Sequence, residues 1–200
     1  MIVYGASGHG KVIIEILESI NTPHIEVWDD APHEPLWEYP VTPPATEVKD
    51  QVVISIGVNG TRKKVADRLG GSVSFGTAIH AATCISKRTT IGEGTVIMAG
   101  VTINADSHIG KHCIINTNAS IDHDCVLGDY VHVSPNATLS GDVQVGEGTH
   151  IGAGASIIQC LRIGKWCKIG AGAVIIKDVP DYATVVGNPG RVIKIKETEK

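Results

Sequence analysis

The chain has 200 residues, 42% of them hydrophobic, with 17 Lys and Arg against 21 Asp and Glu and a formal net charge of −4. That length allows one or two domains, and the mildly negative balance argues against a general nucleic-acid binder, which carries a basic face. No basic leader precedes an apolar stretch and no apolar run is long enough to cross a bilayer, so a cytoplasmic protein without stable membrane insertion is expected.

The first 75 residues read as a small α/β unit. Ile2-Val3-Tyr4 is a short apolar strand, followed by the glycine-rich turn Gly5-Ala6-Ser7-Gly8-His9-Gly10. Lys11 to Ile20 has helical apolar spacing at Val12, Ile13, Ile16, Leu17 and Ile20. A second strand, Ile25 to Trp28, ends in Asp29-Asp30, and the Pro-rich stretch Ala31 to Ala45 is loop. Gln51 to Ile56 is a third strand, Asn59 to Leu69 a second helix, and Ser72 to Phe75 a fourth strand. Strands alternating with helices imply a parallel sheet, here Rossmann-like, and such sheets bind ligands outside the carboxyl ends of their strands. Three polar clusters fall at those ends: Ser7-Gly8-His9, Asp29-Asp30, and Gly57 to Arg62 with Asn59 between them. The first turn aims backbone N–H groups at a potential phosphate. Its spacing is GxxGxG, which also suits a purely structural turn. The acidic pair follows about 20 residues later, where a ribose-binding carboxylate would stand. The unit is short for a dinucleotide domain, which favours a nucleotide-linked sugar.

From Ile79 to Ile175 an aliphatic residue recurs every six positions, seventeen in succession without a slip. A helix needs a period near 3.6 and an ordinary strand needs 2. A period of six fits short strands joined by tight turns, the signature of a parallel β-helix. Four residues after each aliphatic the chain is usually small, as at Ala119, Ala137 and Ala155, and Cys113, Cys125 and Cys167 occupy the same column. Core packing accounts for those cysteines better than redox chemistry. Residues 76–178 thus form the β-helix, and 179–200, with Pro180, Pro189 and a mixed Lys/Glu end, form a cap and a solvated tail.

The hexapeptide rhythm resembles the left-handed β-helix acyltransferases, in which three hexapeptides make one triangular coil of 18 residues. The motifs Tyr4-Gly5-Ala6-Ser7-Gly8-His9-Gly10-Lys11, Asp29-Asp30, and Ile56-Gly57-Val58-Asn59 with Arg62-Lys63-Lys64 sharpen the resemblance to the sugar O-/N-acetyltransferase family. Its members acetylate UDP-4-amino sugars in bacillosamine synthesis, GDP-perosamine, or sialic acid. The resemblance implies a homotrimer, acetyl-CoA as co-substrate in a groove between subunits, and no metal. It also implies that Ser7, Gly8 and His9 meet the diphosphate and sugar, and Asp29 and Asp30 the uridine. The third cluster, with Gly57, Asn59 and Arg62, would complete the substrate site. His132 would contact acetyl-CoA, and the main chain at Ala153 and Ala171 would run along the pantetheine arm. The segment Val185 to Val192 would lie near the adenine end or simply cap the stack.

Acetyl transfer from a thioester needs a base, an oxyanion donor and alignment of two substrates. His123, in Ile121-Asp122-His123-Asp124-Cys125, is the candidate base, and Asp124 beside it favours the charged imidazole. The family usually carries Glu where this chain has the shorter Asp124. One coil onward stands Gly141, which gives a thioester room and offers its N–H to the oxyanion. His132 and His150 should stack one coil apart, His150 on a solvated turn. Asp106, Asp124 and Asp142 form a like-charged column expected at a solvated corner. The expected activity is direct N-acetylation of a UDP-linked 4-amino-4,6-dideoxy sugar. Sialic-acid O-acetylation and GDP-perosamine N-acetylation keep the chemistry and change the acceptor. A zinc β-helix hydratase similar to the γ-type carbonic anhydrases would need a three-histidine spacing that is missing here. A non-catalytic nucleotide-binding scaffold is the remaining alternative.

Overall fold

The computed structural model describes residues 1–45 and 48–196, so the charged end of the tail at 197–200 lies outside the described residues. The first layer is a four-stranded sheet in the order β3-β2-β1-β4, every pairing parallel. Its strands are β1 (Ile2–Tyr4), β2 (Glu26–Trp28), β3 (Val41–Thr42) and β4 (Val52–Ile54). The helices are α1 (Gly8–Ser19) and α2 (Asn59–Leu69). Three expectations need correction. Helix α1 begins inside the glycine-rich turn, the Pro-rich loop contributes β3 beside Trp28, and the strand expected at 72–75 is only a bridge from Phe75 to Val52. The bridge is short because Ser72 donates back to the Leu69 carbonyl at 3.1 Å, leaving few residues to align.

Seventeen two-residue strands then wind a triangular solenoid. One sheet runs from Ala78–Ile79 to Lys168–Ile169, a second from Cys84–Ile85 to Val174–Ile175, and a third from Thr90–Ile91 to Arg162–Ile163. Each strand pairs in parallel with the strand 18 residues away, as Ile121 does with Ile103 and Leu139. The six-residue column fills the prism, and Ile97, Ile115, Val133 and Ile151 are all 0% exposed. No loop interrupts the coils. Antiparallel strands Ala183–Val186 and Arg191–Ile195 close the first sheet.

The corners carry a second period of six. From Gly94 to Gly172 every sixth residue has φ between +52° and +73°. Ten of these fourteen are Gly, Asp or Asn, the residues that tolerate the left-handed region best. The exceptions are His112, Tyr130, Cys160 and Trp166, and the three bulky ones share the corner between the third and first sheets. The α/β unit docks on that corner and on the first sheet, where Met98 and Ile114 pack with Ile13 and Leu17 in one apolar cluster.

Candidate active site

The chemistry-bearing residues fall on three separate places of one chain. At the carboxyl end of β1, the turn is tied down by its own neighbours. Gly5 N–H donates to the Trp28 carbonyl at 2.7 Å, and Ala6 N–H to Asp29 Oδ2 at 2.8 Å. Asp29 Oδ1 accepts from Ala31 N–H at 3.0 Å. Asp30 takes the Tyr4 hydroxyl at 2.6 Å and Arg68 Nη2 at 2.7 Å, and these bonds hold its carboxyl below the ordinary carboxylate range. The acidic pair expected at the uridine is thus oriented by bonds within the α/β unit. Ser7 stands at the start of α1 with its hydroxyl not used as a cap. Ser7 and Gly8 open onto a cavity of about 450 Å³ whose other walls include Lys11, His33, Glu34 and Trp37. Trp37 is 51% exposed at φ +56°. Neither His33 nor Trp37 stood out in the sequence, because both lie in a loop without periodicity. Burial, with the charge of Arg62, pushes His9 down to about 4, so it is a neutral imidazole at pH 7, and its buried Nε2 has no partner among the described residues.

The second place is the seam between α2 and the solenoid. Arg62 is 1% exposed. Its Nε donates to the His112 carbonyl at 2.8 Å, Nη1 to the Ile56 carbonyl at 2.8 Å, and Nη2 to Asn59 Oδ1 and the Tyr130 carbonyl, each at 2.9 Å. Asn59 Nδ2 in turn donates to the Gly148 carbonyl at 3.0 Å. Both residues, expected to meet substrate, here fasten the α/β unit to the solenoid corner, and Asn59 also lines the cavity beside it. With Nη1 also donating to the Gly57 carbonyl at 3.3 Å, all five guanidinium N–H groups are taken among the described residues. His112 completes the junction, stacked on Tyr130 at 5.2 Å and edge-on to Phe75 at 4.5 Å.

Beside this junction opens a cavity of about 650 Å³, lined by Gly57, Val58, His132, His150, Trp166 and Lys168 among others. His132 and His150 stack at 4.7 Å with planes 11° apart, as their one-coil separation requires. His150 is half-buried on a strand and bonded to Ser134 Oγ at 2.8 Å, which corrects the expected solvated turn. Burial, followed by the neighbouring His150, pushes His132 down to about 3. Its buried Nδ1 has no hydrogen-bond partner among the described residues.

The third place is the corner between the second and third sheets. His123 Nδ1 lies 2.7 Å from Asp124 Oδ2, and its side chain is 60% exposed. The ring covers the buried Gly141, where a Cβ would sit 2.6 Å from His123 Cε1 and 2.7 Å from Nε2. No acceptor among the described residues takes the Gly141 N–H. Hydrogen bonding from Asp124 and the charge of Asp122 raise the imidazole above its ordinary value. Asp106, Asp124 and Asp142 all have positive φ and stand exposed along this edge. Ala153 and Ala171 are exposed on the remaining corner, between the first and second sheets. One chain thus brings His123, Asp124 and Gly141 together, and gathers Gly57, His132 and His150 elsewhere. It does not bring His123 to Ser7, Gly8 and His9.

Among the described residues, one group of His, Cys, Asp or Glu has ligand atoms within 4.8 Å of one another: His24, Glu26 and Asp50, all exposed on the α/β unit. No helix among the described residues is long and apolar enough to cross a membrane.

Comparison with known proteins matches residues 1–69 to the PglD N-terminal domain. The bacterial transferase hexapeptide (six repeats) matches 88–122, 106–141 and 142–177. The UDP-N-acetylbacillosamine N-acetyltransferase of Bacillus subtilis (strain 168) is 45% identical over 102 residues, covering 46% of this chain and 47% of that protein. The chain thus spans about half the length of this curated relative. Among solved structures, a single-histidine variant of perosamine N-acetyltransferase from Caulobacter crescentus, holding CoA and GDP-perosamine, superposes with a TM-score of 0.92. It is 34% identical, with 96% of each chain covered. The acetyltransferase domain of PglB from Neisseria gonorrhoeae FA1090, in complex with acetyl coenzyme A, also gives 0.92 at 34% identity, covering 96% of this chain and 98% of that one.

Proposed function

Because this chain belongs to the hexapeptide-repeat sugar acetyltransferases that open with a PglD N-terminal domain, we propose that it moves an acetyl group from acetyl-CoA to the amine of a nucleotide-linked amino sugar. The preferred acceptor is a UDP-4-amino-4,6-dideoxyhexose, a choice supported by the Bacillus relative. The Caulobacter structure with GDP-perosamine supports a GDP-linked acceptor as the second reading.

One observation carries the mechanism: the imidazole held by Asp124 at 2.7 Å lies directly over Gly141. Asp124 fixes Nδ1, so Nε2 is the free base. As the sugar amine attacks the thioester carbonyl, Nε2 takes the ammonium proton. The Gly141 N–H donates to the oxyanion that forms. Collapse of the tetrahedral adduct expels the CoA thiolate, and the imidazolium returns its proton to that sulfur. No covalent enzyme intermediate is needed. The space that a Cβ would fill at Gly141 is where the thioester fits. Residues 1–75 form the substrate-holding unit, with Ser7, Gly8 and the neutral His9 at the diphosphate and sugar.

The base and the nucleotide turn sit on different corners of one chain. That separation supports a homotrimer in which His123 of one copy meets the sugar held by another. Acetyl-CoA then lies between the prisms, along the exposed main chain at Ala153 and Ala171 and toward His132. The test is incubation with acetyl-CoA and a panel of UDP- and GDP-linked amino sugars, with sialic acid as the hydroxyl acceptor, followed by thiol release. Transfer to an amino sugar that falls by about 10²-fold or more in His123→Ala, with an unchanged unfolding temperature, is the expected result. Transfer at an undiminished rate in His123→Ala would overturn the assignment of the base.

A further inference from the structure

Resting on the acetyl-transfer reading, we propose that Asp122, anchored by Asn104, is a positioning residue for His123, fixing the backbone of the base and setting a second negative charge beside its ring. Asp122 Oδ1 accepts the His123 backbone N–H at 2.8 Å and Asn104 Nδ2 at 2.7 Å. Asn104 stands one coil earlier, 18 residues away. The Asp122 carbonyl accepts the Ser107 hydroxyl at 2.7 Å, and the Asp122 N–H reaches the Leu139 carbonyl at 3.0 Å. The His123 carbonyl accepts from Asp142 N–H at 2.9 Å. Every polar backbone atom of residues 122 and 123 is therefore held. Asn104 and Asp122 supply the contact at the one N–H that coil pairing leaves over.

The consequence for the base is geometric. An imidazole on an exposed corner has wide freedom about χ1 and χ2 unless its backbone and one ring nitrogen are both fixed. Asp124 fixes the nitrogen; Asp122 fixes the backbone. Around the ring, the charged groups from its own coil are Asp122 and Asp124, and from the next coil Asp142. The corner segments on either side, Asn104-Ala105-Asp106-Ser107 and Ser140-Gly141-Asp142-Val143, contain no cation. The imidazolium formed during transfer thus has carboxylates around it and no like charge. The upward shift of His123 is consistent with that setting, Asp124 contributing most and Asp122 next.

A rung that only staples two coils would show the same bonds, so the test separates charge from structure. Asp122→Asn keeps an amide oxygen for both donors and removes the charge. The His123 Cε1–H resonance, assigned by its absence in His123→Ala, is titrated by NMR without any substrate. In Asp122→Asn the midpoint falls, because one of the charges that raises it is removed. The acid limb of kcat/KM moves down by the same amount, and Asp122→Glu restores both. Asn104→Ala keeps the charge; there kcat falls several-fold while KM for acetyl-CoA holds. An unmoved midpoint and acid limb in Asp122→Asn, with only a lower unfolding temperature, would overturn the proposal. Because the titration needs no acceptor, failure to find a sugar substrate defeats the transferase reading and leaves the midpoint to decide this one.

Discussion

At the level of single residues, the corner around His123 makes two sharp demands. Gly141→Ala places a methyl 2.6 Å from His123 Cε1. The ring is exposed and swings away cheaply, so stability should hold while kcat drops on the order of 10²-fold, the penalty of a displacement near 1 Å. Equal loss of stability and activity would refute that account. On the proposed mechanism, His123→Ala should lower kcat by roughly 10²–10⁴-fold. The pH profile follows from the raised imidazole. Catalysis needs its neutral form, so kcat/KM should fall as pH drops through a midpoint above the ordinary 6.5. Asp124→Asn should move that midpoint down; an unmoved midpoint would rule out the pairing as its cause. This triad was legible because a period of 18 places 141 beside 123 whatever the side chains do. The internal bonds of Asp29, Asp30 and Arg62 were not: only the folded chain brings the Ala6 and Ala31 amides to Asp29, Arg68 to Asp30, and backbone carbonyls to Arg62.

At the level of elements, the junction between α2 and the solenoid is held by a buried guanidinium that, among the described residues, has no carboxylate partner. Burial lowers Arg62 to about 10, and it stays a cation at pH 7 bonded only to neutral oxygens. Arg62→Ala leaves several buried carbonyls without donors, each costing about 1–3 kcal/mol. The loss should appear in urea unfolding and as faster hydrogen exchange in α2. Arg62→Lys should recover little, since an ammonium cannot span the fork. Full rescue by lysine would contradict that geometry. The bulky left-handed residues mark the same place. His112, Tyr130 and Trp166 hold φ of +52°, +60° and +53° on the corner that the α/β unit covers. Strain of that kind, about 1–2 kcal/mol per residue, persists where surrounding packing over-determines the backbone. Here the stacking of His112 on Tyr130 and the Arg62 bonds to both carbonyls supply the restraint. The six-residue rhythm declared the coils, yet it was silent about docking: these three residues break a Gly/Asx pattern whose meaning emerges only once the corners are known.

Across the whole molecule, four imidazoles lowered by burial, His9, His112, His132 and His150, tie folding to acidity. Burial lowers His9 and His112 to about 4 and His132 to about 3. Their folded values lie below the unfolded 6.5, so the unfolded chain binds more protons in between. The stability they permit is complete above pH 6.5 and is lost as pH falls toward 3–4, with a slope of up to about 1.4 kcal/mol per pH unit for each group. Urea unfolding at pH 7.5 and 5 should show it, and His112→Asn, which keeps a residue tolerant of positive φ, should flatten the slope by about one proton. A slope unchanged by that substitution would place the proton uptake elsewhere. The unbroken register carries a further consequence for how such a chain can change its length. Because partners always stand 18 positions apart, deleting a single residue would throw all later rungs out of step. Duplicating a complete turn, such as 143–160, would instead lift the closing hairpin by one strand spacing, about 4.8 Å, and leave the aspartate-flanked histidine untouched. The molecule is built to grow by whole storeys, its height adjustable to the reach of a bound thioester while its chemistry stays on the same floor.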